Sequence, residues 1–315
     1  MIWLMAARPR TLPAAIAPVL VGSAAAWLAL EDAKVYVESA VGDVARAGVV
    51  DTGDDFRIGA LIAALVGSIF IQIGTNLAND YSDAKRGADD ADRLGPVRVT
   101  SAGLIAPRRV LHATWLAFAV AVAAGIYLAF VAGPEILAVG AVSILAGILY
   151  TGGPRPYGYA GMGELFVFVF FGLVAVNGSY YVQLERLDWL PFALSLPIGF
   201  LATAILVVNN LRDIDTDRRA GKRTLAVRIG REPTRLLYAA LVGGAFAALP
   251  LGLLLAGGPG WAALGLVAAP LAVAPLRAVA ASSDGPTLNR ALAATGTLLA
   301  AFSLLAAAGL VIAAL

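Results

Sequence analysis

Nine apolar runs dominate this chain, near residues 11–30, 58–78, 110–131, 134–150, 163–182, 189–209, 234–256, 260–281 and 291–314. Roughly twenty apolar residues let a helix cross a bilayer, and all but the fourth reach or approach that length. In hydrocarbon, backbone polar groups must be satisfied inside the segment, so runs of this kind can only become helices. Composition agrees: 60% of residues are apolar and 14% charged, with a mean hydropathy of +0.82. A soluble domain would carry about a quarter charged residues. The fold class expected is all-α, a polytopic membrane protein of about nine transmembrane helices. Residues 1–315 are expected to form a single integral-membrane domain.

Some chemistry is excluded at once. There is no cysteine and one histidine, His112, so thiolate chemistry is impossible and a His-ligated metal is not expected. The first apolar run follows Arg8 and Arg10 and lacks a small-residue cleavage site after a short core. It reads as the first membrane helix, opened by Thr11-Leu12-Pro13, and not as a cleavable signal.

Lys and Arg placement orients the bundle. With nine spans, the amino terminus and the segments 79–109, 151–162, 210–235 and 277–290 share one side and hold nineteen of the 23 basic residues. The other side carries Lys34, Arg46 and Arg57 in a long connection, 31–57, and Arg186 in a short one. An integral cell-membrane protein is expected, with its amino terminus and its polar blocks facing the cytoplasm. Loop 31–57, with seven acids, reads as a solvated linker or surface helix.

Two of the cytoplasmic segments repeat a pattern. Asn76, Asn79, Asp83 and Gly87 follow one another at intervals of three, four and four, and Asn210, Asp213, Asp217 and Gly221 do the same 134 residues later. Each block ends an apolar run. Side chains three and four apart share one helix face, so each block offers a cluster of oxygen donors pointing one way. Because the blocks end helices two and six, which run in the same direction, a 4+4 pseudo-repeat with the ninth helix appended is expected. Asp80, Asp83, Asp213, Asp215 and Asp217 lie at or past helix carboxyl ends, where the macrodipole disfavours anions. Lys85, Arg86, Arg212, Arg218 and Arg219 could neutralise them as ordinary juxtamembrane charges. Topology needs only Lys and Arg, however, whereas these blocks add matched carboxylates and neutral amides. Oxygen-only donors favour Mg²⁺, which is held by a few carboxylates together with substrate phosphates. Arg98, Lys222 and Arg223 follow the carboxylates within each block, and Arg155 lies on the same side; all four could steady a departing diphosphate.

At these residues the chain resembles the UbiA superfamily of intramembrane prenyltransferases, and within it the menaquinone branch that prenylates 1,4-dihydroxy-2-naphthoate. The resemblance runs through RPRTLPAAIAPVLVG, NLANDYSDAKRGAD, the GPVR segment, ILYTGGPRPYGYAGMGE and NNLRDIDTDRRAGKRTLAVRIG. It implies a UbiA-type bundle, Mg²⁺ as cofactor, and a polyprenyl diphosphate and dihydroxynaphthoate as partners in the lipid bilayer; no nucleic-acid partner is expected. By resemblance Asn79, Asp83, Asp213 and Asp217 take metal-ligand positions, with Asp80 and Asp215 as additional ligands. Asp83, Asp213 and Asp217 carry the catalysis, and Arg98, Arg155, Lys222 and Arg223 bind diphosphate. Where many members have a third Asp after the Asp83 position, this chain has Gly87, then Asp89 and Asp90. A different aromatic acceptor, such as 4-hydroxybenzoate or homogentisate, and a cation-coupled transporter are the competing readings. The transporter is disfavoured because its ionisable sites belong near the midplane.

Other residues read as structural. Phe166, Phe168, Phe170 and Phe171 are expected to face lipid, and His112 the surface. Tyr150, Tyr157 and Tyr159 suit either interfacial anchoring or the site, and Glu164 opens helix five, where a helix amino terminus favours an acid.

Overall fold

The computed structural model describes residues 2–41, 55–87, 94–95 and 98–315, with the backbone alone for 34–41. Among the described residues there is no strand. Nine principal helices follow in order: α1 (Leu12–Val41), α2 (Ile58–Lys85), α3 (Pro107–Ala132), α4 (Glu135–Leu149), α5 (Gly163–Leu184), α6 (Trp189–Arg212), α7 (Arg231–Ala256), α8 (Gly260–Ala281) and α9 (Gly285–Ala313). Eight are long and apolar enough to cross a membrane; α4, with 15 residues, is shorter. The chain is an integral membrane protein. One boundary differs from the sequence reading: α1 runs on to Val41, past the expected end at residue 30. Glu31, Ala33 and Lys34 are strong helix formers, so nothing stops the helix where the apolar run does. The rest of that connection, 42–54, lies outside the described residues.

Helices α1 and α6 form the centre, each with about seven-tenths of its apolar window buried. They pack on each other and are flanked by α5, α7 and α9. Their contact faces are built largely from Ala, Val and Leu: Val21, Ala25, Leu201, Ala204, Val207 and Leu298 are all buried. Large apolar side chains point the other way, among them Leu116, Phe130, Leu254 and Trp189, as expected of a surface solvated by lipid. The two block-bearing helices each pack against the helix that follows, α2 on α3 and α6 on α7. That matched pairing is what the repeated sequence spacing anticipates.

Close helix approach depends on missing side chains. Gly172 in α5 meets Gly199 in α6 so tightly that a Cβ on Gly172 would lie 2.7 Å from Gly199 Cα. A Cβ on Gly309 in α9 would come within 2.0 Å of the Trp261 carbonyl oxygen. Packing and close contact replace the hydrophobic drive that lipid removes.

Arg57 closes the end away from the polar blocks. Its backbone exchanges hydrogen bonds with the Gln183 side chain, at 2.8 and 3.1 Å. Its guanidinium donates to the Val131 and Val182 carbonyls, at 3.1 and 3.4 Å, and to Glu185 at 2.7 Å. Those carbonyls belong to the last turns of α3 and α5, which have no intrahelical donors. One side chain thus ties α2, α3 and α5 together.

Replacing Gly309 by Val should lower the thermal midpoint of detergent-solubilised protein and its folded yield, because backbone cannot move aside as a side chain can. A Gly309→Val protein that melts like the wild type would contradict the α8–α9 packing described here.

Candidate functional site

The polar segments expected on one side do gather at one end of the bundle. Leu94 meets the start of α9, where Asn289 Nδ2 donates to its carbonyl at 2.8 Å. The Arg223 amide donates to the Tyr159 carbonyl at 2.9 Å. Between these segments opens a cavity of about 380 Å³ that runs from the blocks down between α1, α2, α3, α4, α5 and α6. Its mouth is polar, with Asn79, Asp83, Arg98, Asp213, Asp217 and Lys222, and its depth is lined mainly by apolar and small residues such as Ala64, Gly67, Leu128, Gly140 and Val174.

Asp83 is the junction. It is 1% exposed, one α-helical turn after Asn79, and three groups from separate segments reach it. Arg98 Nη2 lies 2.8 Å from Oδ2 and Lys222 Nζ 3.3 Å from the same oxygen. The Tyr159 hydroxyl donates to Oδ1 at 2.5 Å. Lys222 also sits over the Tyr159 ring, 4.8 Å from its centroid, a cation–π contact that desolvation strengthens. The first block, the 151–162 loop and the second block therefore meet on one carboxylate.

Asp80, expected as a metal ligand, does something else. Its two oxygens accept from the Val99 and Thr100 amides, at 3.0 and 3.1 Å, and it is fully buried away from the cavity. Each oxygen takes one backbone donor, and the pair fixes the turn that presents Arg98 to Asp83. Asp215, also expected to ligate, is exposed and paired with Arg231 at 2.5 Å. Arg155 and Arg223, expected at the diphosphate, are exposed and off the cavity. Alternation explains Asp215: α6 ends at Arg212, a short helix (Ile214–Arg219) follows, and the Asp217 amide donates to the Asp213 carbonyl at 2.8 Å. Asp213 and Asp217 thus stay stacked towards the cavity while Asp215 turns outward. Gly87 has a positive φ of 62° just past the end of α2, a backbone position glycine suits. Asp89 and Asp90 lie outside the described residues.

Asp213 is gripped by its neighbour. Arg212, 1% exposed, donates through Nε at 2.7 Å and Nη2 at 2.5 Å to the two Asp213 oxygens, and further to Asn209 and Asn289. At the opposite wall the Thr151 hydroxyl donates to Asn79 Oδ1 at 2.7 Å. Burial pushes the Tyr157 phenol above the ordinary tyrosine range; it stays protonated and donates to the Ala146 carbonyl at 2.9 Å.

Tyr150, Tyr157 and Tyr159, which the sequence left open between interfacial anchoring and the site, all line the cavity, as does Arg8, which sequence reasoning left out. Arg8 holds a left-handed backbone, φ 54°; RPRTLP carried no signal of that. Phe166, Phe170 and Phe171 also face the cavity instead of lipid, because α5 contains a π-helical stretch, Phe168–Val174. Phe166 stacks on Tyr157 with centroids 4.0 Å apart, while Phe168 packs on Phe200. His112 is exposed, as expected.

The donors suit a hard cation. The cavity mouth offers carboxylate and amide oxygens without sulfur or imidazole, and among the described residues no three acidic side chains converge into a cage. Mg²⁺ takes such sites, bound through one or two carboxylates with substrate phosphates supplying the remainder. Asn79, Asp83, Asp213 and Asp217 are the oxygen donors of this kind that the mouth presents.

Comparison with known proteins agrees with this geometry. The chain is 44% identical over 309 residues to the 1,4-dihydroxy-2-naphthoate octaprenyltransferase of Mycobacterium tuberculosis, covering 98% of this chain and 96% of that protein. The Escherichia coli protein of the same name is 39% identical, covering 90% and 86%. A UbiA homologue from Archaeoglobus fulgidus, solved with GPP and Mg²⁺, shares the fold with a TM-score of 0.59 at 14% identity, over 98% of this chain and 100% of that one. An apo UbiA homologue from Aeropyrum pernix K1 gives 0.64 at 14% identity, over 95% and 97%. With the UbiA prenyltransferase family profile matching residues 44–299, the chain belongs to that family.

Proposed function

We propose that this protein transfers a polyprenyl group from a polyprenyl diphosphate to 1,4-dihydroxy-2-naphthoate, with loss of the ring carboxyl, forming demethylmenaquinol, the hydroquinone form of demethylmenaquinone, in menaquinone biosynthesis. The observation that carries this reading is the meeting of both carboxylate blocks at the polar mouth of one apolar cavity, joined through Asp83, Arg98 and Lys222. Full-length similarity to relatives named for this reaction supports the choice of acceptor. Residues 1–315 act as one prenyltransferase domain. Nineteen of the 23 basic residues lie with the blocks, so the site and the amino terminus face the cytoplasm.

The diphosphate sits at the mouth and the isoprenoid tail lies along the apolar depth, where burial is favourable by roughly 0.8 kcal/mol per methylene. Asn79, Asp83, Asp213 and Asp217 would hold Mg²⁺ there, and the ion would screen charge developing on the leaving diphosphate. Arg98 and Lys222, already lodged on Asp83, turn towards the diphosphate oxygens and stabilise them as the allylic C–O bond breaks and the diphosphate departs with the bonding pair. Tyr159 keeps Asp83 in place as its cations are shared. The electron-rich ring attacks the allylic carbon to form the new C–C bond. The carboxylate then leaves as CO₂ and returns its electron pair to the ring. The apolar walls keep water from the electron-poor allylic carbon.

Purified protein with a labelled polyprenyl diphosphate should transfer label to dihydroxynaphthoate when Mg²⁺ is present and lose that activity with chelator. Parallel assays with 4-hydroxybenzoate and homogentisate test the acceptor, and turnover of either in preference to the naphthoate would refute it. Asp83→Asn and Asp217→Asn should each reduce transfer by at least about 100-fold, the scale of losing an essential electrostatic group, whereas Asp215→Asn should stay near wild type. Equal loss in all three would break the distinction drawn between the cavity carboxylates and the outward one. Arg212→Met should destabilise the protein by about 3–5 kcal/mol, since it strands a buried carboxylate; unfolding in denaturant at fixed detergent measures this.

A further inference from the structure

Asn76 and Asn210 open the two blocks at corresponding places in the repeat, and each is 4% exposed. Both have their amide nitrogen committed to the protein. Asn76 Nδ2 donates to the Ala7 carbonyl at 3.0 Å and to Thr11 Oγ1 at 3.1 Å. A carbonyl can only accept, and Thr11 spends its own hydrogen on the Arg8 carbonyl, so the Asn76 amide has one orientation. Asn210 Nδ2 donates to Glu164 Oε1 at 2.9 Å. Both asparagines line the cavity, and neither Oδ1 accepts a hydrogen bond from the described residues.

An amide oxygen that takes no donor from the protein is open to a ligand's hydroxyl, and here two occur at repeat-related positions in one cavity. Asn76 lies one turn before Asn79, and Asn210 one turn before Asp213, so both are deeper than the carboxylates at the mouth. We propose that these two Oδ1 atoms form the acceptor subsite, each receiving a hydrogen bond from one hydroxyl of a dihydroxy-arene. This rests on the prenyl-transfer reading above. Two fixed acceptors call for a ligand with two donors. A hydroquinone supplies them; the corresponding quinone would set carbonyl against carbonyl and be refused. Glu164 is a positioning residue, because it holds the Asn210 amide with its oxygen towards the ring.

The test is equilibrium binding to donor-free protein in detergent, by calorimetry, together with separate KM values for acceptor and diphosphate. The ligands are reduced dihydroxynaphthoate, its two monomethyl ethers, and 1,4-naphthohydroquinone against 1,4-naphthoquinone. For wild type, each ether should bind about ten-fold more weakly than the parent, the scale of one hydrogen bond, and the hydroquinone should outcompete the quinone. Asn210→Leu and Asn76→Leu should each weaken the parent about ten-fold, and each should abolish the penalty for a different ether. The diphosphate KM should be unchanged in both. Glu164→Leu should behave like Asn210→Leu, while Glu164→Gln, which retains an accepting oxygen, should restore tight binding. Ethers that bind wild type as well as the parent overturn the proposal even if every variant misfolds. A rise in diphosphate KM instead of acceptor KM also overturns it, assigning these oxygens to the diphosphate end. Wild type that prenylates no dihydroxy-arene at all refutes the functional reading itself, an outcome distinct from transfer with ether-insensitive binding.

Discussion

A carboxylate with almost no access to solvent cannot remain charged alone, and Asp83 resolves this by drawing a guanidinium, an ammonium and a phenol from three later parts of the chain. The arrangement of the cavity mouth follows from that demand. Asp80 fixes the 98–100 turn so that Arg98 arrives. The Arg223 amide on the Tyr159 carbonyl holds the second block against the 151–162 loop, so Lys222 arrives over the ring. Removing either support would leave a buried charge short of a partner. In the proposed function the same cations are the ones a diphosphate would recruit, so one set of contacts would serve both the resting fold and the reaction.

Much of this could be read from residue order alone. The apolar runs define the helices because lipid permits little else, and the alternation of spans puts the basic segments together. Helical spacing also selects Asn79 with Asp83 and Asp213 with Asp217, because each pair is four residues apart. What spacing could not resolve is the partner of each polar group. Asp80 is adjacent to Asn79, yet its direction is decided by two amides nineteen and twenty residues downstream. Asp215 belongs to the same run as Asp217, yet the start of a new short helix after Asp213 sends it to Arg231. Arg155 and Arg223 satisfy any count of nearby charge and still point away, since only tertiary packing tells an inward base from an outward one.

The phenylalanines of α5 fail for a different reason, and that reason carries a consequence for the cavity. Its lining residues on this helix recur in steps of four: Phe166 with Val167, Phe170 with Phe171, Val174 with Ala175, Gly178 with Ser179, then Val182. An α-helix with 3.6 residues per turn rotates such a row about 40° per step, so it would wander from the opening within a few turns. The wider π-turn at Phe168–Val174 takes up the surplus and holds the row in line. Sixteen residue steps of wall, on the order of 24 Å at 1.5 Å per residue, therefore run straight along the cavity. The length of this wall is thus set by helical pitch, independently of the carboxylates. A one-residue change in that turn would swing the far end of the wall out of line while the carboxylates at the mouth stayed as they were.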